Sequence, residues 1–301
     1  LDFVSKVNYL KLVMRDTVIG SSSGGPIVGV NFGVVSSVTA LSLTFTRVTV
    51  RASQQAVGIA GNLYEAYLKF ADCTLVSTFS GGSLVAPLAA LSIQEVRSKS
   101  RIIIERSTLR AVSEPFSGNA GAYVTALDIR GKLVATDLWI DFSTIEGLGN
   151  QNSKGIFAQA LDGSCVAVYN STVAAQTLSP SSPFHGAGTG ATGFNSGVSL
   201  STSDGSSTLH LSGTDVNVAG GYPTGVQLIN VARTFVTLEG TRVNATNNAK
   251  TGGISGWGIF VHGTLMSSML VIMRSQFFTP SSGTGIVFPD PASALYANRI
   301  L

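Results

Sequence analysis

The chain has 301 residues, 19 of them basic and 16 acidic, for a net charge of +3, and only 12% are charged while 44% are hydrophobic. A charged fraction half the usual ~25%, in a chain this apolar, excludes disorder, which needs low hydrophobicity and high charge. The small excess of base is spread thinly, so nucleic acid is not an expected partner. No composition shift or linker divides residues 1–301, and a single domain is expected.

Along the chain one short pattern recurs nine times: apolar, any, apolar, any, turn-like, small, any, apolar. Its central apolar position falls at Val13, Phe45, Phe70, Ile104, Ile140, Val168, Leu211, Leu238 and Ile272. Five residues further on stand Val18, Val50, Leu75, Leu109, Ile145, Val173, Val216, Val243 and Phe277, apolar in every copy. Three residues on, most copies carry a small or compact residue: Asp16, Val48, Cys73, Ser107, Ser143, Ser171, Thr214, Thr241 and Ser275. The spacings of 32, 25, 34, 36, 28, 43, 27 and 34 residues lie in the range of solenoids and other repeat arrays. Within each copy the alternation has period two, which predicts strands. A second strand signal follows, led by a glycine and a branched apolar residue: Gly155-Ile156, Gly197-Val198, Gly225-Val226, Gly258-Ile259 and Gly285-Ile286. Each repeat therefore holds at least two strands with corners between them. The leucine spacing of helical leucine-rich repeats is missing, and a propeller blade needs four strands. The expected fold is all-β: a right-handed parallel β-helix, or β-solenoid, of about nine coils, about 40 Å long at ~4.8 Å per coil.

Residues 17–46 carry no charge, long enough for a bilayer span of about 20 residues. They include Ser21-Ser22-Ser23-Gly24-Gly25-Pro26 and Asn31, and their apolar residues keep the repeat register, so no membrane span is expected. Cys73 and Cys165 lie three repeats apart, about 14 Å at the strand spacing, beyond disulfide reach; both are expected to be buried free thiols. Arg97-Ser98-Lys99-Ser100-Arg101 reads as a solvated turn.

Positions either side of the central apolar residue face outward. They bring Glu105, Asp141 and Tyr169 onto consecutive coils, with Ile103 and Trp139 beside them. Two carboxylates about 5 Å apart at the backbone match the ~5–5.5 Å separation of a retaining glycosidase, and sugars stack on aromatic rings. Against that stands a chance neighbour pair balanced by Arg106 or Lys154. Glu105, Trp139, Asp141 and Tyr169 are thus the glycan-binding candidates, and no residue is assigned a catalytic role. Asn170-Ser171-Thr172 and Asn244-Ala245-Thr246 are sequons, so Asn170 and Asn244 are N-glycosylation candidates in an extracellular setting. Residues 174–196 read as a long Gly/Ser/Pro loop. Within it Gly188-Thr189-Gly190-Ala191-Thr192-Gly193 matches a dinucleotide fingerprint in letters, but a strand signal follows where a helix is needed. His185, His210 and His262 share no short spacing, so no metal site is expected, and no cofactor. Neither Leu1-Asp2-Phe3-Val4 nor the final residues to Leu301 read as a cap. The expectation is a segment of a longer solenoid, or self-association through its ends.

The phrasing of Ser206-Ser207-Thr208-Leu209-His210-Leu211-Ser212-Gly213-Thr214 and of residues 267–278 resembles the Ser/Thr-rich β-helical surface proteins of kinetoplastid protists, the dispersed gene family type. Bacterial β-helical adhesins and phage tailspikes share the style. The resemblance implies extracellular or cell-surface display, glycosylation and a structural or adhesive role, and it supplies no catalytic residues. Pectate lyases and polygalacturonases share the fold, but their clustered Asp, Arg and Lys signatures are missing. The expected function is a non-catalytic extracellular structural or adhesive solenoid, building a stalk or a head-to-tail filament. The alternative is a β-helix that binds or cleaves glycans.

Overall fold

The computed structural model describes residues 2–3, 9–20, 28–79, 88–113, 123–149, 152–177, 194–220, 222–247, 256–279, 283–287, 295–296 and 299–300. Among them there is no helix. The strands form three parallel sheets of 11, 10 and 9 strands, each joining every third strand through the first nine coils. This is a parallel β-helix. The chain passes nine times through sheets A, B and C in turn, and a partial tenth coil follows. The fourth coil is representative, with Leu88–Arg97 in sheet A, Arg101–Glu105 in sheet B and Thr108–Ser113 in sheet C. The uncharged stretch supplies the strands Val28–Thr39 and Leu41–Thr46.

The repeat motif is therefore two strands, one of sheet B and one of sheet C, and the Gly-led segment is the third. From the second copy onward the expected ladders stand in register. Phe45, Phe70, Ile104, Ile140, Val168, Leu211, Leu238 and Ile272 pair coil upon coil inside sheet B. Nearly all are fully buried, and each such side chain contributes about 1.5–3 kcal/mol of hydrophobic burial. The first copy is one residue off. Met14, not Val13, pairs with Phe45, and Ile19, not Val18, pairs with Val50. Val13 and Val18 are 44% and 73% exposed, because the corner at Asp16 matches Arg47 and not the residue after it.

Corners explain why the coils stay in phase. Between sheets B and C every one of the nine coils places one residue at positive φ: Asp16, Arg47, Asp72, Arg106, Phe142, Asn170, Gly213, Gly240 and Arg274. The left-handed conformation costs an L-residue roughly 1–2 kcal/mol, less for Asp, Asn and Gly, and four copies place Arg or Phe there. What offsets the cost is a backbone ladder that runs unbroken through the corner. The amides of Arg47, Asp72, Arg106 and Phe142 donate to Ala71, Glu105, Asp141 and Tyr169 on the next coil at 2.9–3.2 Å. The residue after the corner then turns inward, and its hydroxyl accepts the equivalent amide of the coil below. Ser107 Oγ accepts Cys73 N–H at 2.9 Å, Ser143 Oγ accepts Ser107 N–H at 3.1 Å, and Ser171 Oγ accepts Ser143 N–H at 3.0 Å. A second hydroxyl ladder stands at the corner between sheets A and B, where Ser100, Ser164, Ser207 and Ser268 accept the amides of Ala66, Thr136, Ser164 and Thr234. Buried polar groups are thereby paired from coil to coil. The basic run 97–101 is the fourth copy of this second corner, with Ser98 and Lys99 both at positive φ.

The strands Thr172–Thr177 and Phe194–Asp204 take up both ends of the loop expected at 174–196. The rest, with the glycine-rich Gly188–Gly193 and His185, lies outside the described residues.

Candidate functional site

The outer face of sheet B carries the residues singled out above. Trp139 and Asp141 lie on Asp137–Asp141, Glu105 on Arg101–Glu105 and Tyr169 on Cys165–Tyr169, adjacent strands of one sheet. Glu105 and Asp141 are register partners. Each carboxylate has a partner of its own. Lys69 Nζ lies 3.0 Å from Glu105, and Asn170 Nδ2 donates to Asp141 Oδ1 at 3.3 Å. The balancing cation is thus Lys69 on the preceding coil. Arg106 pairs instead with Asp72 at 2.7 Å, and Lys154 stands on sheet A. Trp139 packs against Tyr169 with centroids 4.8 Å apart and planes tilted by 33°, and Tyr169 against His210 at 5.3 Å and 51°. Ala167 lies between Trp139 and His210 in the column and is only 1% exposed, since the three rings close over it. Trp139 itself stays 47% exposed. Burial raises the Tyr169 phenol, with Cys165 and Asp141 adding to the effect, so the ring acts as a neutral hydrogen-bonding platform. The arrangement offers an aromatic surface flanked by an amide and a carboxylate.

Asn170 sits exposed at the corner with φ 46°, and Asn244 is half-buried on the outer face of sheet C beside Asn217. Both cysteines are free. Cys73 is buried as expected, in the corner ladder, where its Sγ donates to Phe45 and Ala71 carbonyls. Cys165 is a correction: it points outward from sheet B and is only half-buried. Burial raises both thiols, which makes neither a ready nucleophile. Among the described residues no three His, Cys, Asp or Glu side chains gather as a metal ligand set.

A second site lies on sheet A. Its strands bend where two successive residues both enter the core: Ala56-Val57, Ala90-Leu91 and Ala126-Leu127 are buried pairs, and Gly155-Ile156, Gly197-Val198 and Gly225-Val226 continue the column. Only a small residue fits first. A Cβ on Gly155 would run into Val173 of sheet C and the Gly197 carbonyl. The bend makes the outer face concave, so outward residues three apart converge. Lys154 Nζ lies 4.0 Å from the Phe157 ring centre. Ser196 and Ser199 both donate to Gln227 Oε1 at 3.0 Å, and Trp257 stacks on Phe260 at 4.7 Å. The seam runs along the axis and buries polar groups. Asp128 is 4% exposed, its carboxyl raised by burial against the opposing Arg130 charge at 2.6 Å. Lys154 is pushed down to about 8 by burial, Asp128 opposing. In the second to fifth coils the seam opens into a groove of about 380 Å³ lined by Asn31, Gln55, Gly58, Ser92, Gln94, Glu95 and Arg130, among others. The sequence held a signal for the seam, the small-then-branched pairs, but periodicity presented them as strand starts when they mark a bend inside each strand.

Comparison with known protein families, with curated proteins and with solved structures finds no match. No helix among the described residues is long and apolar enough to cross a membrane.

Proposed function

We propose that the chain is a non-catalytic structural or adhesive β-solenoid displayed outside the cell, assembled as a surface stalk or as a head-to-tail filament. One observation carries this reading: the charged side chains pair from coil to coil along the stack. Ten ion pairs join described residues, and eight of them, such as Arg47–Asp16, Arg106–Asp72, Arg110–Glu146 and Arg233–Asp204, link neighbouring coils. Glu105 belongs to this system, which speaks for a rod that presents surfaces and against a convergent acid–base centre. A second reading, glycan recognition or cleavage on sheet B, is favoured by the exposed Trp139, packed against Tyr169 beside Asp141. A glycan array run with a reducing-end release assay tests both. The scaffold reading expects no release from any polysaccharide. Release abolished by Glu105→Gln or Asp141→Asn would replace it with an enzyme.

A further inference from the structure

We propose that the open part of the sheet A seam is a binding site for an uncharged, hydroxyl-rich ligand, a short glycan segment. The site stands on its own groove and is independent of the scaffold reading.

The seam has two outward columns whose members face each other across the bend. In register they pair Val28 with Asn31, Gln55 with Gly58, Ala89 with Ser92, Thr125 with Asp128, Lys154 with Phe157, Ser196 with Ser199, Thr224 with Gln227 and Trp257 with Phe260. In the sixth, eighth and ninth coils large side chains fill the bend themselves, and Gln227 of the eighth reaches over Ser196 and Ser199 of the seventh. In the third and fourth coils Gln55 reaches over Gly58, the small Ser92 leaves space beside it, and the groove runs from there along Gln94 and Glu95, with Arg130 of the Asp128–Arg130 pair at one end. One column contributes to the opening: Gly58 and Ser92 occupy the register positions at which later coils carry Asp128, Phe157, Ser199, Gln227 and Phe260, and among the described residues no neighbouring coil sends a long side chain over Ser92 as Gln227 does over Ser199. Its ~380 Å³ lies in the usual range for small-ligand sites.

The lining selects the ligand. Both of its charges are matched within the protein, Glu95 by Arg97 at 2.5 Å and Arg130 by Asp128 at 2.6 Å, so the groove presents no net charge to an anion or a cation. No aromatic ring lines it, so it offers no stacking face for a base. What it presents is three side-chain amides, Asn31, Gln55 and Gln94, and the Ser92 hydroxyl. Amides donate and accept in one planar group, which matches the hydroxyls of a sugar, each donor and acceptor at once. Gln94 is held in place, its Oε1 accepting Gly61 N–H at 2.8 Å, and its NH₂ is the part able to donate to a ligand.

The test uses the full chain and neutral linear trisaccharides built from glucose, mannose, galactose or N-acetylglucosamine, titrated by NMR, with a sulfated trisaccharide as the charged comparison. At least one neutral probe is expected to bind at millimolar concentration or better, shifting the side-chain amide signals of Gln55 and Gln94, with the sulfated probe weaker. Ser92→Phe gives the fourth coil the side chain that the sixth carries at the same position, and is expected to weaken binding at least tenfold with the fold kept. Gln55→Ala and Gln94→Ala, which leave the bend unfilled, are expected to weaken it about two- to tenfold each, the size of one hydrogen bond. Trp139→Ala is expected to change nothing here. No binding of any neutral trisaccharide, binding indifferent to both the filling and the amide variants, or binding lost in Trp139→Ala would overturn the proposal.

Discussion

Ser143 shows how a single hydroxyl holds two coils together. It is 3% exposed, donates to the Asp141 carbonyl at 2.8 Å and accepts Ser107 N–H at 3.1 Å. Removing it leaves a buried amide without a partner, which costs about 1–3 kcal/mol. Ser143→Ala is therefore expected to destabilise by that amount and to abolish hydrogen-exchange protection at the Ser107 amide. Local exchange is the right readout, because a long repeat array need not unfold in one step. Protection unchanged in Ser143→Ala would show that the ladder is incidental. The sequence displayed this ladder as the small residue three places after each central apolar position. It did not display the second ladder, since Ser100, Ser164 and Ser207 belong to no apolar period and a Ser/Thr-rich chain hides them among many others.

At the scale of the element, the bent strand of sheet A is the feature that periodicity alone could not give. Two successive inward residues break the period-two rule, and the outward residues around them look like ordinary polar surface until the bend folds them together. The charge on Lys154 is the measurable consequence. Its ammonium is disfavoured by burial, and its folded pKa of about 8 lies below the ordinary 10.5. Between those values the unfolded chain binds more protons than the folded one, so this group's contribution to stability rises with pH from about 8 to 10.5. Below about 8 both states hold the proton and the burial penalty is present in full. Lys154→Met is expected to be more stable than the native chain at pH 7, with the difference shrinking as pH rises through that window. Urea midpoints of the two proteins across pH 7–10.5 check this; a constant difference would mean that the lysine is not desolvated. The sheet B candidates were legible as a group, because outward ladder positions follow from register. The partners that decide their chemistry were not, because Lys69 and Asn170 come from flanking coils and from a corner.

For the whole molecule, the claim underneath every site described is that like residues stand above like residues. The corner charges Asp16, Arg47, Asp72 and Arg106 alternate in sign up the stack, and Asp72 is held below the usual carboxylate range chiefly by Arg106, with Arg47 adding to it. Exposed pairs of this kind contribute at most about 1 kcal/mol each, so their main effect is on register, with cohesion coming from the core and the hydroxyl ladders. Nine copies of one motif made the ladders legible, and where two apolar residues adjoin, as at Val13 and Met14, only the corner at Asp16 fixes the phase. The direct test is to place cysteines by register. Arg110 and Glu146 are partners on neighbouring coils of sheet C, about 4.8 Å apart at the backbone and within disulfide range. Arg110 and Asn217 share the same column three coils apart, about 14 Å. In a Cys165→Ser background, Arg110→Cys with Glu146→Cys is expected to oxidise to an intramolecular disulfide in the folded protein, and Arg110→Cys with Asn217→Cys to remain reduced. The reverse result, or neither pair closing, would contradict the coil register on which the ladders, the aromatic platform and the groove all depend.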